Sequence, residues 1–158
     1  MRIGQGIDAH RFGEGSSIRL GGVDIPFERG IEAHSDGDVV LHAICDAMLG
    51  AASLGDLGKH FPSDDDRWHN ADSVQMLEHV FGLVSAQNLR VSNLDVTVIC
   101  QAPRLSTHVE AMQAVIAATL EMEKNHVSVK ATTTDGLGYT GRGEGIAAHA
   151  VVLLSDRG

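Results

Sequence analysis

Basic residues are in short supply: 12 Lys and Arg stand against 21 Asp and Glu, a formal net charge of -9. Nucleic acid and anionic membrane surfaces both call for a basic patch, so neither is an expected partner. A small phosphorylated molecule is compatible with this balance, provided that metal ions, backbone N–H groups or a few placed cations neutralise it. Cysteine is scarcer still. Cys45 and Cys100 have no CxxC spacing and sit in apolar patterns, which argues for reduced core residues in a cytoplasmic protein. No export signal precedes the strand-like start, and no apolar run nears the ~20 residues of a membrane span. Aromatic residues make up only 4% while glycines number 18, which predicts tight turns and close backbone approaches around a ligand.

With 158 residues, 43% of them apolar, the chain has the size of one domain, 1–158, and can bury a core. Period-two alternation over residues 2–10 predicts a strand with Ile3, Gln5, Ile7 and Ala9 on one face and Gly4, Gly6, Asp8 and His10 on the other. Gly21-Gly22 between two short apolar runs predicts a hairpin ended by Pro26. A helix is expected from near Asp36 or Asp38 to about Gly50, with a carboxylate in its first turn and Gly50 as its stop. Asp38, His42 and Asp46 would share a chemical face, and Leu41, Ile44, Cys45 and Met48 a packing face. Residues 55–66 read as loop, a mobile flap over the site. A second helix follows Asp72-Ser73, burying Val74, Leu77, Phe81 and Val84; a strand at 94–100 and a helix over 106–121 follow, the latter burying Val109, Met112, Ile116 and Leu120. Strands at 127–133 and 146–154 flank a glycine-rich turn. The fold class is α/β: a two-layer sandwich of a four-stranded mixed sheet with helices on one face, plus the hairpin.

Asp8-x-His10 on one strand face and His42 on a helix offer one carboxylate and two imidazoles. Such a set suits a zinc site with an open fourth position, although manganese or iron would also accept it; ordinary capping and hydrogen bonding are the plainer alternative. His34-Ser35 precedes the helix, where backbone N–H groups can hold a phosphate, while Ser35 or Asp36 could equally act as a cap. Asp38 and Asp46 flank His42 and could orient its ring. Thr132-Thr133-Thr134-Asp135 ends a strand with hydroxyls and a carboxylate suited to magnesium. Gly138 to Gly145 sets Arg142 and Glu144 among four glycines. His60, His69, His79, His108, His126 and His149 show no metal spacing.

Asp8-Ala9-His10, Gly21-Gly22-Val23, Ala33-His34-Ser35-Asp36-Gly37-Asp38, Leu41-His42-Ala43, Gly55-Asp56-Leu57-Gly58, Ala71-Asp72-Ser73, Gln101-Ala102-Pro103, Lys130-Ala131-Thr132-Thr133-Thr134 and Gly141-Arg142-Gly143-Glu144-Gly145-Ile146 together resemble the 2-C-methyl-D-erythritol 2,4-cyclodiphosphate synthase family. The resemblance runs from the first strand to the last. It implies a phosphorus–oxygen lyase of the non-mevalonate isoprenoid pathway, in which a 2-phosphate oxygen attacks a β-phosphorus and expels CMP. By matching position, Asp8, His10 and His42 would bind zinc, one ion per subunit, and Asp135 a magnesium or manganese ion. His34 and Asp135 would be catalytic. Substrate would meet Ser35, Asp56, Gly58, Tyr139 and Arg142, with cytidine against Cys100, Ala102, Pro103, Arg104 and Leu105, and phosphates near Ala131, Thr132 and Thr133. The resemblance also implies a homotrimer with active sites between subunits and an apolar three-fold channel, near Arg142 and Glu144, that accepts isoprenoid diphosphates.

Three positions depart from the family pattern. Asp135 stands where similar sequences usually have Glu, so the loop must move inward or a water must intervene. Phe61-Pro62-Ser63-Asp64 replaces a more acidic run, and Arg104 stands where Lys is frequent. Two other functions fit the same residues: a zinc phosphoesterase using metal-bound hydroxide, and a non-catalytic trimeric protein that binds isoprenoid diphosphates.

Overall fold

Alternating sequence forms the long strand β1 (Arg2–Gly13), and its Gly4 and Gly6 decide what lies above it. A computed structural model describes residues 1–62, 64, 65, 68 and 70–157. The parts of the expected flap at Ser63 and Asp66, and His69, lie outside the described residues. A Cβ on Gly4 would stand 2.1 Å from the Ala47 carbonyl oxygen, and one on Gly6 2.1 Å from that of Ala43. The helix α1 (Val39–Ala51) therefore lies with its backbone directly on the strand. Two residues of strand advance ~6.8 Å and four of helix 6.0 Å, so the next residue on that face, Asp8, comes opposite the turn holding His42.

The alternation of β1 is as expected: Ile3 and Ile7 are exposed at 74% and 62%, on the face away from α1. Following β1 come the hairpin strands β2 (Ser17–Leu20) and β3 (Val23–Pro26), then β4 (Gly30–Glu32). Gly21 and Gly22 both take positive φ, 57° and 76°, as a two-residue hairpin turn requires. The remaining elements are α2 (Leu57–His60), α3 (Ser73–Ala86), β5 (Leu89–Ile99), α4 (Val109–Thr119), β6 (Val127–Thr132), α5 (Gly138–Gly141) and β7 (Gly145–Asp156).

The main sheet has five strands, not four, in the order β4-β1-β7-β5-β6. The additional strand is β4, whose three residues are too few to show a period. Its partners run from Arg11↔Glu32 to Gly13↔Gly30. Among the described residues only β5 and β6 pair in parallel, so the sheet is mixed as expected. Strand β5 begins five residues before the alternation becomes regular, because a bulge between Val91 and Asn93 shifts the period by one.

Several helix details differ from expectation. Helix α1 is buried on nearly every side, with only Asp46 and Gly50 reaching solvent, so it does not divide into a chemical and a packing face. Its first turn holds no carboxylate; Asp38 is its N-cap instead. Gly50 lies within the helix, and Ser53, at φ 59°, turns the chain after it. Asp56 caps the single turn α2 inside the stretch read as loop. The buried stripe of α3 is Met76, Leu77, Val80 and Val84, with Val74 and Phe81 only half-buried. Helix α4 starts at Val109, itself half-buried, and packs Met112, Ile116 and Leu120. Among the described residues no helix is long and apolar enough to cross a membrane.

Two glycine substitutions separate close approach from mere helix propensity. Gly6→Ala is expected to destabilise by about 1–3 kcal/mol, since the methyl meets backbone that cannot yield cheaply. Gly50→Ala meets nothing nearer than the Gln5 carbonyl at 3.9 Å and is expected to gain up to ~1 kcal/mol. Urea unfolding of both variants checks the contrast; equal effects would contradict the packing described.

Candidate active site

The close seat of α1 brings Asp8, His10 and His42 together, with one ligand atom from each lying within 4.8 Å of the others. The Nδ1–H of His42 donates to Asp8 Oδ2 at 2.9 Å. Nε2 of His10 lies 3.1 Å from the same oxygen but lacks hydrogen-bond alignment, so this buried atom has no hydrogen-bond partner among the described residues. The two imidazoles meet edge to face, 5.7 Å between centroids. One carboxylate, two imidazoles and an orphaned buried nitrogen at the wall of a cleft form a donor set that fits a divalent metal with one position open.

Electrostatics agree with that fit. Burial works to raise the Asp8 carboxyl, yet the His42 hydrogen bond and the close, positively polarised rings of His10 and His42 hold it well below the usual carboxylate range. Burial likewise works to lower His42, but its bond to Asp8 and the nearby carboxylates of Asp38 and Asp36 raise it above its ordinary value.

Asp38 and Asp46 are not partners of the His42 ring, contrary to expectation. Helix spacing aligns the three residues, but each carboxylate is claimed by backbone. Asp38 accepts from Gly21 N at 2.8 Å, Gly22 N at 2.7 Å and Leu41 N at 3.1 Å, locking the hairpin turn to the helix start. Burial nevertheless pushes its carboxyl up to about 6. Asp46 accepts from Leu57 N at 2.9 Å and ties α2 to α1. The far side of the His42 ring instead meets Ser73 Oγ, 2.9 Å from Nε2, and Ser35 Oγ at 3.4 Å.

A cleft of about 200 Å³ opens beside the triad, lined also by His34, Ser35, Leu57, Gly58, Phe61, Pro62, Asp65, Trp68 and Met76. His34 is exposed at its rim, and its carbonyl accepts from Asn70 N at 2.9 Å. Phe61 and Trp68 pack edge to face, 4.6 Å apart, as one apolar wall. Asp56, expected to meet substrate, caps α2 by accepting from Lys59 N at 3.0 Å and is exposed.

The other expected residues gather elsewhere. Cys100, Pro103, Arg104, Leu105, Ala131, Thr132 and Thr133 line a second cleft of about 210 Å³. Ala102 and Arg142 share a third hollow, and Tyr139 lies with His10 and Glu144 in a fourth. Asp135, exposed at φ 52°, accepts from Thr133 Oγ1 at 3.2 Å and does not line the triad's cleft. Arg142 Nε donates to Glu144 Oε1 at 2.7 Å on the surface. Burial raises both thiols, that of Cys100 to about 11, so neither cysteine is a nucleophile at neutral pH.

Sequence reasoning passed over Asp36 and Ser73 as site residues, and over Trp68 entirely. The Asp72-Ser73 pair was legible as a helix start and as one segment of the family resemblance, neither of which gives it a role, and no spacing rule links Ser73 to a histidine 31 residues away.

The YgbB family model matches residues 1–155. The chain is similar to a 2-C-methyl-D-erythritol 2,4-cyclodiphosphate synthase of Chromohalobacter salexigens, with 58% identity over 158 residues, 100% of this chain and 98% of the relative. Among solved structures, it is similar to the bifunctional IspDF of Campylobacter jejuni, at TM-score 0.94 and 42% identity, covering 98% of this chain and 42% of that one. It is also similar to a 2C-methyl-D-erythritol-2,4-cyclodiphosphate synthase solved in a CDP-bound form, at TM-score 0.90 and 34% identity, covering 98% of this chain and all of the other.

The triad's titration gives opposite pH slopes with and without metal. Asp8, held low when folded, contributes stability above its unfolded value of 3.8, which is lost as pH falls. His42, held high, contributes stability below its unfolded value of 6.5, which is lost as pH rises past its folded value. The metal-free chain is thus expected to draw most from this pair between 3.8 and 6.5. A divalent metal bound through His42 Nδ1 would displace its proton, so its affinity should instead rise with pH until that ring is neutral. Urea unfolding and calorimetry in buffers of different ionisation enthalpy measure both slopes; zinc uptake without proton release would contradict the assignment.

Proposed function

Because the chain belongs to the YgbB family, whose curated relatives are named for cyclodiphosphate synthesis, we propose that it converts 4-diphosphocytidyl-2-C-methyl-D-erythritol 2-phosphate to the 2,4-cyclodiphosphate and CMP. The observation that carries this reading is the Asp8–His10–His42 cluster at the wall of a cleft, in a chain whose whole length resembles those enzymes. A 2-phosphate oxygen forms the new bond to the β-phosphorus, and the bond to the α-phosphate oxygen breaks with its electron pair leaving on CMP. No water and no protein nucleophile enter the balance, so the work of the chain is positioning and charge neutralisation.

Asp8, His10 and His42 would hold zinc and Asp135 a magnesium or manganese ion, which when bound supply Lewis acidity toward phosphate oxygens. The residues of the chain then divide the remaining tasks. His34 and Ser35 stand at the rim, beside the start of α1, where they meet the phosphorylated methylerythritol. Gly58, with its short helix anchored by Asp46, presents backbone to the same end. The Phe61–Trp68 wall keeps competing water from the reacting phosphorus. The cleft by Cys100 and Thr133 takes the cytidine and its phosphates, in keeping with the capacity of a similar synthase to bind CDP.

Neither cleft, at about 200 and 210 Å³, reaches the ~300–1,000 Å³ of pockets that enclose a ligand this large. A site completed between subunits accounts for the shortfall. A homotrimer would also cover the sheet face on which Ile3, Ile7 and Val151 are exposed, leaving an axial channel for an isoprenoid diphosphate near Arg142. The protein would act as a single domain in the cytoplasm.

Purified protein with zinc, magnesium and the CDP-methylerythritol phosphate should release CMP and cyclic product in equal amounts, and His42→Ala should lower turnover by at least ~10³-fold. Release of inorganic phosphate without cyclic product would point to a phosphoesterase. Full turnover by His42→Ala, with only its stability lowered, would reduce the metal to a structural role, and absence of turnover by the wild type would leave a binding protein.

A further inference from the structure

We propose that Ser73 is a positioning residue for the metal centre: its hydroxyl, held by Asp36, fixes the His42 ring with Nδ1 toward Asp8 and His10. The inference rests on the metal reading above and assigns the partner of that ligand's second nitrogen.

One hydroxyl hydrogen decides the direction of the contact with His42. Ser73 Oγ donates its single hydrogen to Asp36 Oδ1 in a short contact. The Ser73 backbone N–H donates to the other oxygen, Oδ2, at 2.9 Å, so both Asp36 oxygens face this one residue. Asp38 N donates to Oδ1 at 3.2 Å, and the Arg19 guanidinium lies 3.4 Å from Oδ2. A carboxylate so surrounded accepts and does not donate. The hydroxyl hydrogen is therefore committed to Asp36, and only the lone pairs of Oγ remain for His42. Its Nε2, 2.9 Å away, must be the donor. A ring that keeps its hydrogen on Nε2 offers the Nδ1 lone pair to a metal, and Nδ1 is the nitrogen already beside Asp8.

The hydroxyl is not occupied with starting the helix. Asp72 is the N-cap of α3, its side chain accepting from Val74 N at 2.8 Å, and Ser73 is fully buried one residue later. Three segments thus converge on one ring: the turn at Asp36, helix α1 and the first residue of α3.

The test uses full-length, zinc-loaded protein with 15N-labelled histidine, and zinc affinity measured by competition with a chromophoric chelator. Wild type should show a slowly exchanging ring N–H on Nε2 of His42 and a metal-shifted Nδ1. Ser73→Ala should weaken zinc binding by ~10–100-fold and lose that slow N–H. Asp72→Ala removes the neighbouring cap and should lower the unfolding midpoint while leaving zinc affinity and the N–H signal unchanged. The proposal is overturned if Ser73→Ala binds zinc like wild type, if Asp72→Ala weakens zinc as much as Ser73→Ala does, or if wild type carries its proton on Nδ1. This last observation needs no variant and decides the matter even if Ser73→Ala does not fold. Failure of wild type to bind zinc overturns the metal reading and this inference together, whereas normal wild-type binding with an unaffected Ser73→Ala overturns this inference alone.

Discussion

The seat of α1 on β1 is the contact from which the rest follows. Two strand positions without side chains, Gly4 and Gly6, let helix carbonyls descend to a distance at which any Cβ would collide. The spacing of strand and helix is commensurate enough that the first residue after the glycines with a functional side chain, Asp8, arrives opposite His42. The triad is therefore a product of backbone packing. Its three donors stay close because the two elements that carry them cannot separate without opening the core, where Val40, Leu41 and Ile44 are fully buried.

Much of the fold was legible in the sequence because its signals are local. The alternation of β1, the Gly21-Gly22 turn and the start of α3 after Asp72 all depend on neighbours in the chain. What escaped was set by distance. The three residues of β4 become a strand only because β1 offers them an edge, and the front of β5 was hidden by a bulge that breaks its period. The single turn α2 exists because Asp56 caps it and Asp46 holds its first N–H. Of those two contacts, only the cap is close in sequence.

The candidate site divides in the same way. Asp8 and His10 could be paired from period two, and His42 added by its chemistry, before any contact was known. The roles given to Asp38 and Asp46 were inferred from helical spacing, which says which residues align but not what their carboxylates bind. Both are taken by backbone N–H groups, and the positions beside His42 went to Ser73 and Ser35, which no periodicity singles out. The resemblance to a known family named the residues of the second cleft. The composition alone had indicated only that phosphate must be neutralised locally.

The pairing of β1 with β7 runs from Arg2 opposite Leu154 to Arg11 opposite Gly145, so two strands far apart in sequence meet in the interior of the sheet. During synthesis, β1 must wait for residues 145–154 before it gains its neighbour on that side. Asp8, His10 and His42, by contrast, have all been made by position 42. The elements that bring the cluster together are thus made well before the strand β7 that flanks β1, and pairing across so long a sequence separation slows folding.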